Sequence, residues 1–241
     1  TLAAQKGGVA KTTTAEALIL GLRRKGFKVL GIDLDSQGNL TSFLNPKADL
    51  DAFDLLDGKA DPKECIQNDL IAGGQRLGYL TQFLDQNGIL ALKEKLDSLS
   101  LDYDFCIIDT PPALGKTLYA AIATSNYVII PTEPTNESMV GVNQTCKVIG
   151  STQKANLSQA VLLGVLLIKY KERYKNHKEF KDKLDADDFP LFKTTIRESQ
   201  AINNAKRKTE DFYSKEYMHA NAVQDYRKFV NEVLDKIGVK K

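Results

Sequence analysis

Apolar residues along this chain fall into two kinds of run. Short continuous ones, bounded by acids, glycines or prolines, are Leu2-Ala3-Ala4, Val29-Leu30-Gly31-Ile32, Phe105-Cys106-Ile107-Ile108, Tyr127-Val128-Ile129-Ile130 and Val161 to Ile168. Their length and lack of alternation predict strands buried on both faces, as in a parallel sheet. Between them lie helical spacings. Ala15, Leu18, Ile19 and Leu22 fall at i, i+3, i+4 and i+7, and Tyr226, Phe229, Val230, Val233, Leu234 and Ile237 form a stripe near the end. Such a stripe predicts a helix packed on a sheet. Weaker signals predict a short helix over Ala52–Leu56, a strand over Arg76–Leu80, a helix over Ile89–Leu99 and a strand over Phe192–Arg197. Alternating strands and helices predict an α/β fold, a doubly wound and mostly parallel sheet with helices on both faces. No repeat or linker interrupts it, so residues 1–241 are expected to form a single domain.

Composition changes this picture little. The chain has 241 residues, 42% hydrophobic and 27% charged, with a net charge of +2. That is ordinary for a globular protein, and any grip on nucleic acid has to come from a local patch. Cys65, Cys106 and Cys146 are odd in number and widely spaced, which excludes a disulfide framework and a zinc site; buried thiols in a reducing cytosol are expected. No apolar run approaches the roughly 18 residues of a membrane span, so a cytoplasmic protein is expected, without a membrane partner. The first strand is already under way at Thr1, as expected if a few preceding residues are missing.

The candidate chemistry begins between the first strand and the first helix. Lys6-Gly7-Gly8-Val9-Ala10-Lys11-Thr12-Thr13 is a glycine-rich turn opening a helix. That geometry aims backbone N–H groups and a positive helix end at one point, which suits a phosphate chain. Lys11 is placed to reach the β- and γ-phosphates, and the Thr12 hydroxyl to ligate Mg²⁺. Further on, the strand ending at Asp109 has the Walker B pattern, which delivers a carboxylate to Mg²⁺. Alone it would serve equally as a core strand. The strand ending at Asp33 runs into Leu34-Asp35-Ser36-Gln37-Gly38-Asn39, where either Asp could simply cap the turn.

A lysine, two glycines and Lys-Thr-Thr resemble the deviant Walker A motif of the ParA/MinD family of ATPases, with Ala10 in place of the usual glycine. Asp33 to Asn39 is similar to the family's D-x-D-P-Q-G-N switch segment, with Ser36 for Pro, and Asp109-Thr110-Pro111-Pro112 to its D-x-P-P. The resemblance covers nearly the whole chain and, without a preceding helix-turn-helix, is to the short Soj-like ParA proteins. It implies an ATPase using ATP and Mg²⁺ in a sandwich homodimer, with Lys6 crossing to the partner's nucleotide. Lys6 and Lys11 would stabilise charge on the transferred phosphoryl group, Asp35 would orient the attacking water, and Asp33 would support the Mg²⁺ site. Ile196-Arg197 resembles the segment that runs past the adenine ring, and Gly141 with the helix after it a segment at the dimer interface.

From Lys169 to Lys183 seven Lys/Arg stand against three Asp/Glu, with tyrosines interleaved. Such a run is either a solvated helix face or a grip on phosphates. Arg173 falls where the resemblance places an arginine needed for nonspecific DNA binding, flanked by Lys171 and Lys175. A second family arginine would fall at Ala201, and Lys206, Arg207 and Lys208 could substitute. The resemblance thus implies an ATP-dependent DNA-partitioning ATPase, cytoplasmic and nucleoid-associated, binding nonspecific double-stranded DNA and released by a ParB-like partner. The alternatives are a MinD-like membrane- or protein-positioning ATPase, or a nucleotide-binding interaction protein that hydrolyses little, which Ala10 favours.

Overall fold

Side chains two residues apart on a strand share a face, so one strand can feed two cores at once. Val29, Ile129 and Leu166 enter one hydrophobic cluster, whereas the neighbouring Leu30, Ile130 and Val165 enter clusters on the opposite face. The strands that do this are β1 (Val29–Asp33), β2 (Leu70–Ile71), β3 (Phe105–Asp109), β4 (Tyr127–Thr132) and β5 (Val161–Leu167). The helices are α1 (Lys11–Arg24), α2 (Asn39–Leu44), α3 (Ala52–Asp57), α4 (Leu80–Asn87), α5 (Ala91–Asp97), α6 (Lys116–Thr124), α7 (Asn136–Lys154), α8 (Lys175–Ala186), α9 (Gln200–Arg207) and α10 (Asn221–Lys236). They come from a computed structural model that describes residues 1–45, 47–97, 103–208 and 210–239.

All strand pairs are parallel, and the helices supply the crossovers that parallel pairing requires. The hydrogen-bonded order is β2-β1-β3 on one side and β4-β5 on the other. Leu2 joins the two halves, bridging Asp109 of β3 and Ile129 of β4. One face is covered by α1, α9 and α10, and the other by α3, α4 and α5 under one half and α6, α7 and α8 under the other. The C-terminal stripe packs as expected: Tyr226, Phe229 and Val230 of α10 are buried against α1. Because the strands run the same way, their carboxyl ends gather on one rim, where such sheets hold ligands.

Several expectations need correction. Arg76–Leu80 is not a strand; Gln75–Tyr79 is a 3₁₀ turn in which Leu77 is buried and Tyr79 is 65% exposed, so two positions of one would-be strand face point opposite ways. The strand is instead Leu70–Ile71, too short to show a period. Phe192–Arg197 makes only single bridges, with Leu191 to Val165 and Ile196 to Ile168 on either side. Between them the Lys193 and Thr194 N–H groups donate to the Glu232 carboxylate of α10, at 2.6 and 2.9 Å, rather than to a strand. Gly141 lies inside α7. The helix expected over Ile89–Leu99 spans Ala91–Asp97, and the last two positions of that expectation lie outside the described residues. Cys65 is buried, Cys146 half-buried and Cys106 exposed, so the thiols are not all interior. No helix is long and apolar enough to cross a membrane among the described residues.

Candidate active site

The loop that opens α1 turns on two left-handed residues, Gly8 at φ 79° and Ala10 at φ 56°, ψ 30°. Glycine takes that conformation freely, whereas alanine carries a Cβ that crowds the carbonyl. The first intrahelical bond of α1 runs from the Thr14 N–H to the Ala10 carbonyl at 2.8 Å. Ahead of it the N–H groups of the first turn are left for a ligand, at the positive end of a 14-residue helix.

Behind this turn β3 delivers Asp109, which is fully buried. Lys11, itself 7% exposed, brings its Nζ to 3.2 Å from Asp109 Oδ1, and the Thr12 hydroxyl donates to Oδ2 at 2.7 Å. Burial pushes the Asp109 carboxyl up, and the Lys11 charge and the Thr12 hydrogen bond pull against it. One hydroxyl and one carboxylate side by side fit Mg²⁺, which takes one or two protein ligands and completes its octahedron from phosphates and water. Among the described residues no three His, Cys, Asp or Glu side chains cluster as an all-protein cage.

Asp33 lies opposite Asp109 in the β1–β3 register, yet its oxygens are occupied elsewhere. Oδ2 accepts from the Thr41 N–H at 2.9 Å and the Thr41 hydroxyl at 2.8 Å, and Oδ1 accepts from the Asp35 N–H at 3.1 Å. These contacts make Asp33 the anchor of α2 and of the loop before it. Burial, with a smaller contribution from the Asp109 charge, raises its carboxyl to about 6. Asp35 is 6% exposed, lines the cavity, and accepts from the Gln37 N–H at 3.0 Å. Gly73 holds this loop from below: a Cβ there would stand 2.7 Å from the Asp33 carboxyl carbon and 2.8 Å from the Asp35 carbonyl oxygen.

These groups open into a cavity of about 520 Å³. Lys6, Gly7, Gly8, Val9, Ala10, Lys11, Thr12, Thr13, Asp35, Ile196 and Arg197 all line it, so the expected nucleotide residues converge. Asp109 stands behind the wall. Arg197 turns its guanidinium to Asp225, with Nε to Oδ2 at 2.8 Å and a terminal nitrogen to Oδ1 at 2.7 Å. Lys6 points along α7, its Nζ 3.2 Å from Glu137 on the surface.

The candidate DNA residues divide. Lys171, Arg173 and Lys175 sit on the loop between β5 and the start of α8, around Tyr174. His177 Nδ1 accepts the Lys171 N–H at 3.0 Å and so pins this loop to α8. Lys171 also pairs with Glu198 and Lys175 with Glu179. Arg207 and Lys208 are exposed, and Lys208 is paired with Glu216 and Glu210. Lys206 is not on that surface. Its Nζ turns inward, 3.0 Å from Glu16 of α1, and donates to the Thr13 hydroxyl at 3.1 Å. A fully buried carboxylate draws the ammonium to the cavity wall. Sequence reasoning missed Glu16, Thr41 and Gly73. For Glu16 a signal existed, an acid among the apolar positions of α1; for the other two the partners are distant in sequence.

A family profile described as an AAA domain matches residues 1–161. The sporulation initiation inhibitor protein Soj of Bacillus subtilis is 32% identical over 177 residues, covering 68% of this chain and 69% of that one. The maintenance of carboxysome distribution protein A of Gloeothece citriformis is 31% identical over 177 residues, 68% of each. Among solved structures, an ATP complex of a variant McdA from Cyanothece superposes with a TM-score of 0.86 at 26% identity, covering 100% of this chain and 96% of that one. The septum site-determining protein MinD of Pyrococcus horikoshii, with Mg-ADP, gives 0.79 at 26%, covering 100% and 98%.

Proposed function

The chain belongs to the ParA/MinD family of P-loop ATPases, of the Soj type, and from that premise we propose that it is a partition ATPase whose ATP state holds nonspecific double-stranded DNA. ATP is its substrate and Mg²⁺ its metal. In the proposed mechanism the first-turn N–H groups of α1 and the Lys11 ammonium grip the phosphates and are aimed before reaction, so they stabilise charge without reorganising. Thr12 and Asp109 would hold Mg²⁺, which neutralises phosphate oxygens when bound. Asp35 orients the attacking water. Asp33 fixes the loop that carries Asp35, through Thr41 and the Asp35 N–H. The backbone of Ile196 and Arg197 borders the base.

Lys6 crosses to the nucleotide of a second copy, giving a homodimer with two ATPs between its halves. The contact it would give up, with Glu137, is an exposed pair, and such pairs are worth at most about 1 kcal/mol. A dimer doubles the Lys171–Arg173–Lys175 loop, so ATP would switch on avid phosphate binding. A ParB-like partner would stimulate hydrolysis and release the DNA, and the protein would be nucleoid-associated in the cytoplasm.

The observation that carries this reading is the exposed basic loop held in shape by His177. The experiment is retention on nonspecific duplex DNA with Mg²⁺ and ATP, ADP or no nucleotide, for wild type and Arg173→Ala. ATP-dependent retention that falls in the variant is expected; equal retention with ATP and ADP counts against it. The likeness to a carboxysome distribution protein supports a second reading, a protein-positioning ATPase of the same mechanism with a protein cargo. Liposome sedimentation with ATP separates both from a membrane-positioning role.

A further inference from the structure

The phosphate-binding helix carries a second ionic group besides Lys11. Glu16 is three residues after Thr13 in α1 and shares its face. It is fully buried, and neither of its carboxylate oxygens accepts a hydrogen bond among the described residues. A carboxylate in that position is costly unless a cation meets it. The cation is Lys206, from α9, 3.0 Å from Oε1.

Its ammonium is held at one place along the cavity. Toward the metal end lie Lys11 and Thr12, both on Asp109. The same cavity is lined by the apolar side chains Ile196 and Ile202 and by Tyr226, whose hydroxyl lies 3.2 Å from that of Thr14. Lys206 donates to the hydroxyl of Thr13, the residue after Thr12, at 3.1 Å, and Ile202 is four residues earlier on the same face of α9. A nucleotide laid with its terminal phosphates at Asp109 and its base on the apolar wall brings its α-phosphate to this point. Of the three N–H bonds of a lysine, one goes to the Thr13 hydroxyl, while Glu16 meets the ammonium as an ion pair.

We propose that Lys206 is a third lysine of the nucleotide site, contacting the α-phosphate from α9, and that Glu16 is the positioning residue that holds its ammonium there. This rests on the nucleotide-site reading above. On this reading α9 carries one apolar contact for the base and one charge for the first phosphate, and it brings both to the P-loop together.

The test is titration with fluorescent N-methylanthraniloyl derivatives of ATP, ADP and AMP, with Mg²⁺. Lys206→Met alone would strand the buried carboxylate, so the variant is Glu16→Gln/Lys206→Met, checked for folding by circular dichroism. Should it unfold, Glu16→Leu/Lys206→Leu gives the same readout, since buried ion pairs often tolerate apolar replacement. Loss of a charge-assisted contact to the one phosphate common to all three ligands is expected to weaken each by the same factor, about tenfold or more. Glu16→Gln alone, which leaves the lysine unheld, is expected to weaken all three less. Unchanged affinities in the folded double variant, or a loss confined to ATP, would overturn the proposal. Lys11→Ala is the control: if it binds ATP as tightly as wild type, the site reading itself fails, and this proposal with it.

Discussion

At the scale of single residues the site stores cost where its chemistry needs it. Ala10 holds a left-handed conformation at the start of α1, which costs a non-glycine residue about 1–2 kcal/mol, partly offset by the freedom glycine has in the unfolded chain. Ala10→Gly is therefore expected to stabilise the protein by about 0.5–1 kcal/mol, a rise in melting temperature of about 2 °C; an unchanged or lower melting temperature would show that the loop is not strained. Glu16 is raised by burial to about 7 from a usual 4.5, with Lys206 opposing the shift. A carboxyl raised on folding favours the native state while protonated, so its contribution is present below about pH 4.5 and is lost as pH rises through 7. The stability of wild type relative to Glu16→Gln should thus fall across that window in urea melts. Asp33 shifts in the same direction, and its charge, with that of Asp109, adds to the rise at Glu16. A difference that stays flat from about pH 4.5 to about pH 8 would sink this assignment.

At the scale of elements, what could be read from the sequence was what is local. The phosphate loop, the strand ending at Asp109 and the stripe of α10 each declare themselves within a short stretch, because turn geometry and side-chain period are set by near neighbours. The two-residue β2 and the 3₁₀ turn at Gln75–Tyr79 do not, since neither is long enough to carry a period. Nor could sequence tell that Lys206 faces inward while Lys208 faces out, because the group that decides it, Glu16, is in another helix far along the chain. The loop before α8 is a third case. Its basic residues were legible, but its shape depends on His177 Nδ1 accepting the Lys171 N–H. Burial, then the Lys171 charge, holds that imidazole below its usual 6.5. The neutral ring is favoured in the fold, so its contribution is present above about pH 6.5 and is lost as pH falls through the lowered value. In an NMR titration the Lys171 amide should shift together with the His177 ring as the pH falls below about 6.5. An amide that stays put while the ring titrates would show that the bond does not hold the loop.

At the scale of the whole molecule, fold class followed from the order and spacing of strands and helices, and the family resemblance implied that Lys6 to Thr13, Asp35, Ile196 and Arg197, which line one cavity, belong together, whereas the division of the sheet was legible in neither. Its halves, β2-β1-β3 and β4-β5, meet through Leu2. The Leu2 N–H donates to the Ile108 carbonyl at 2.9 Å on one side, and the Ala3 N–H to the Ile129 carbonyl at 3.0 Å on the other. Residues 2 and 3 lead directly into the phosphate loop. A ligand that orders that loop therefore also restrains the seam. Bound nucleotide adds to global stability in proportion to the logarithm of its excess over Kd, but local opening at a seam has its own, smaller free energy. In amide exchange with and without Mg-ATP, the two N–H groups of Leu2 and Ala3 should gain protection beyond that of the β4–β5 ladder, and equal gains in both places would show a sheet that opens only as one body. The sheet then behaves as two plates on one hinge pin, and the pin is the segment that leads to the triphosphate.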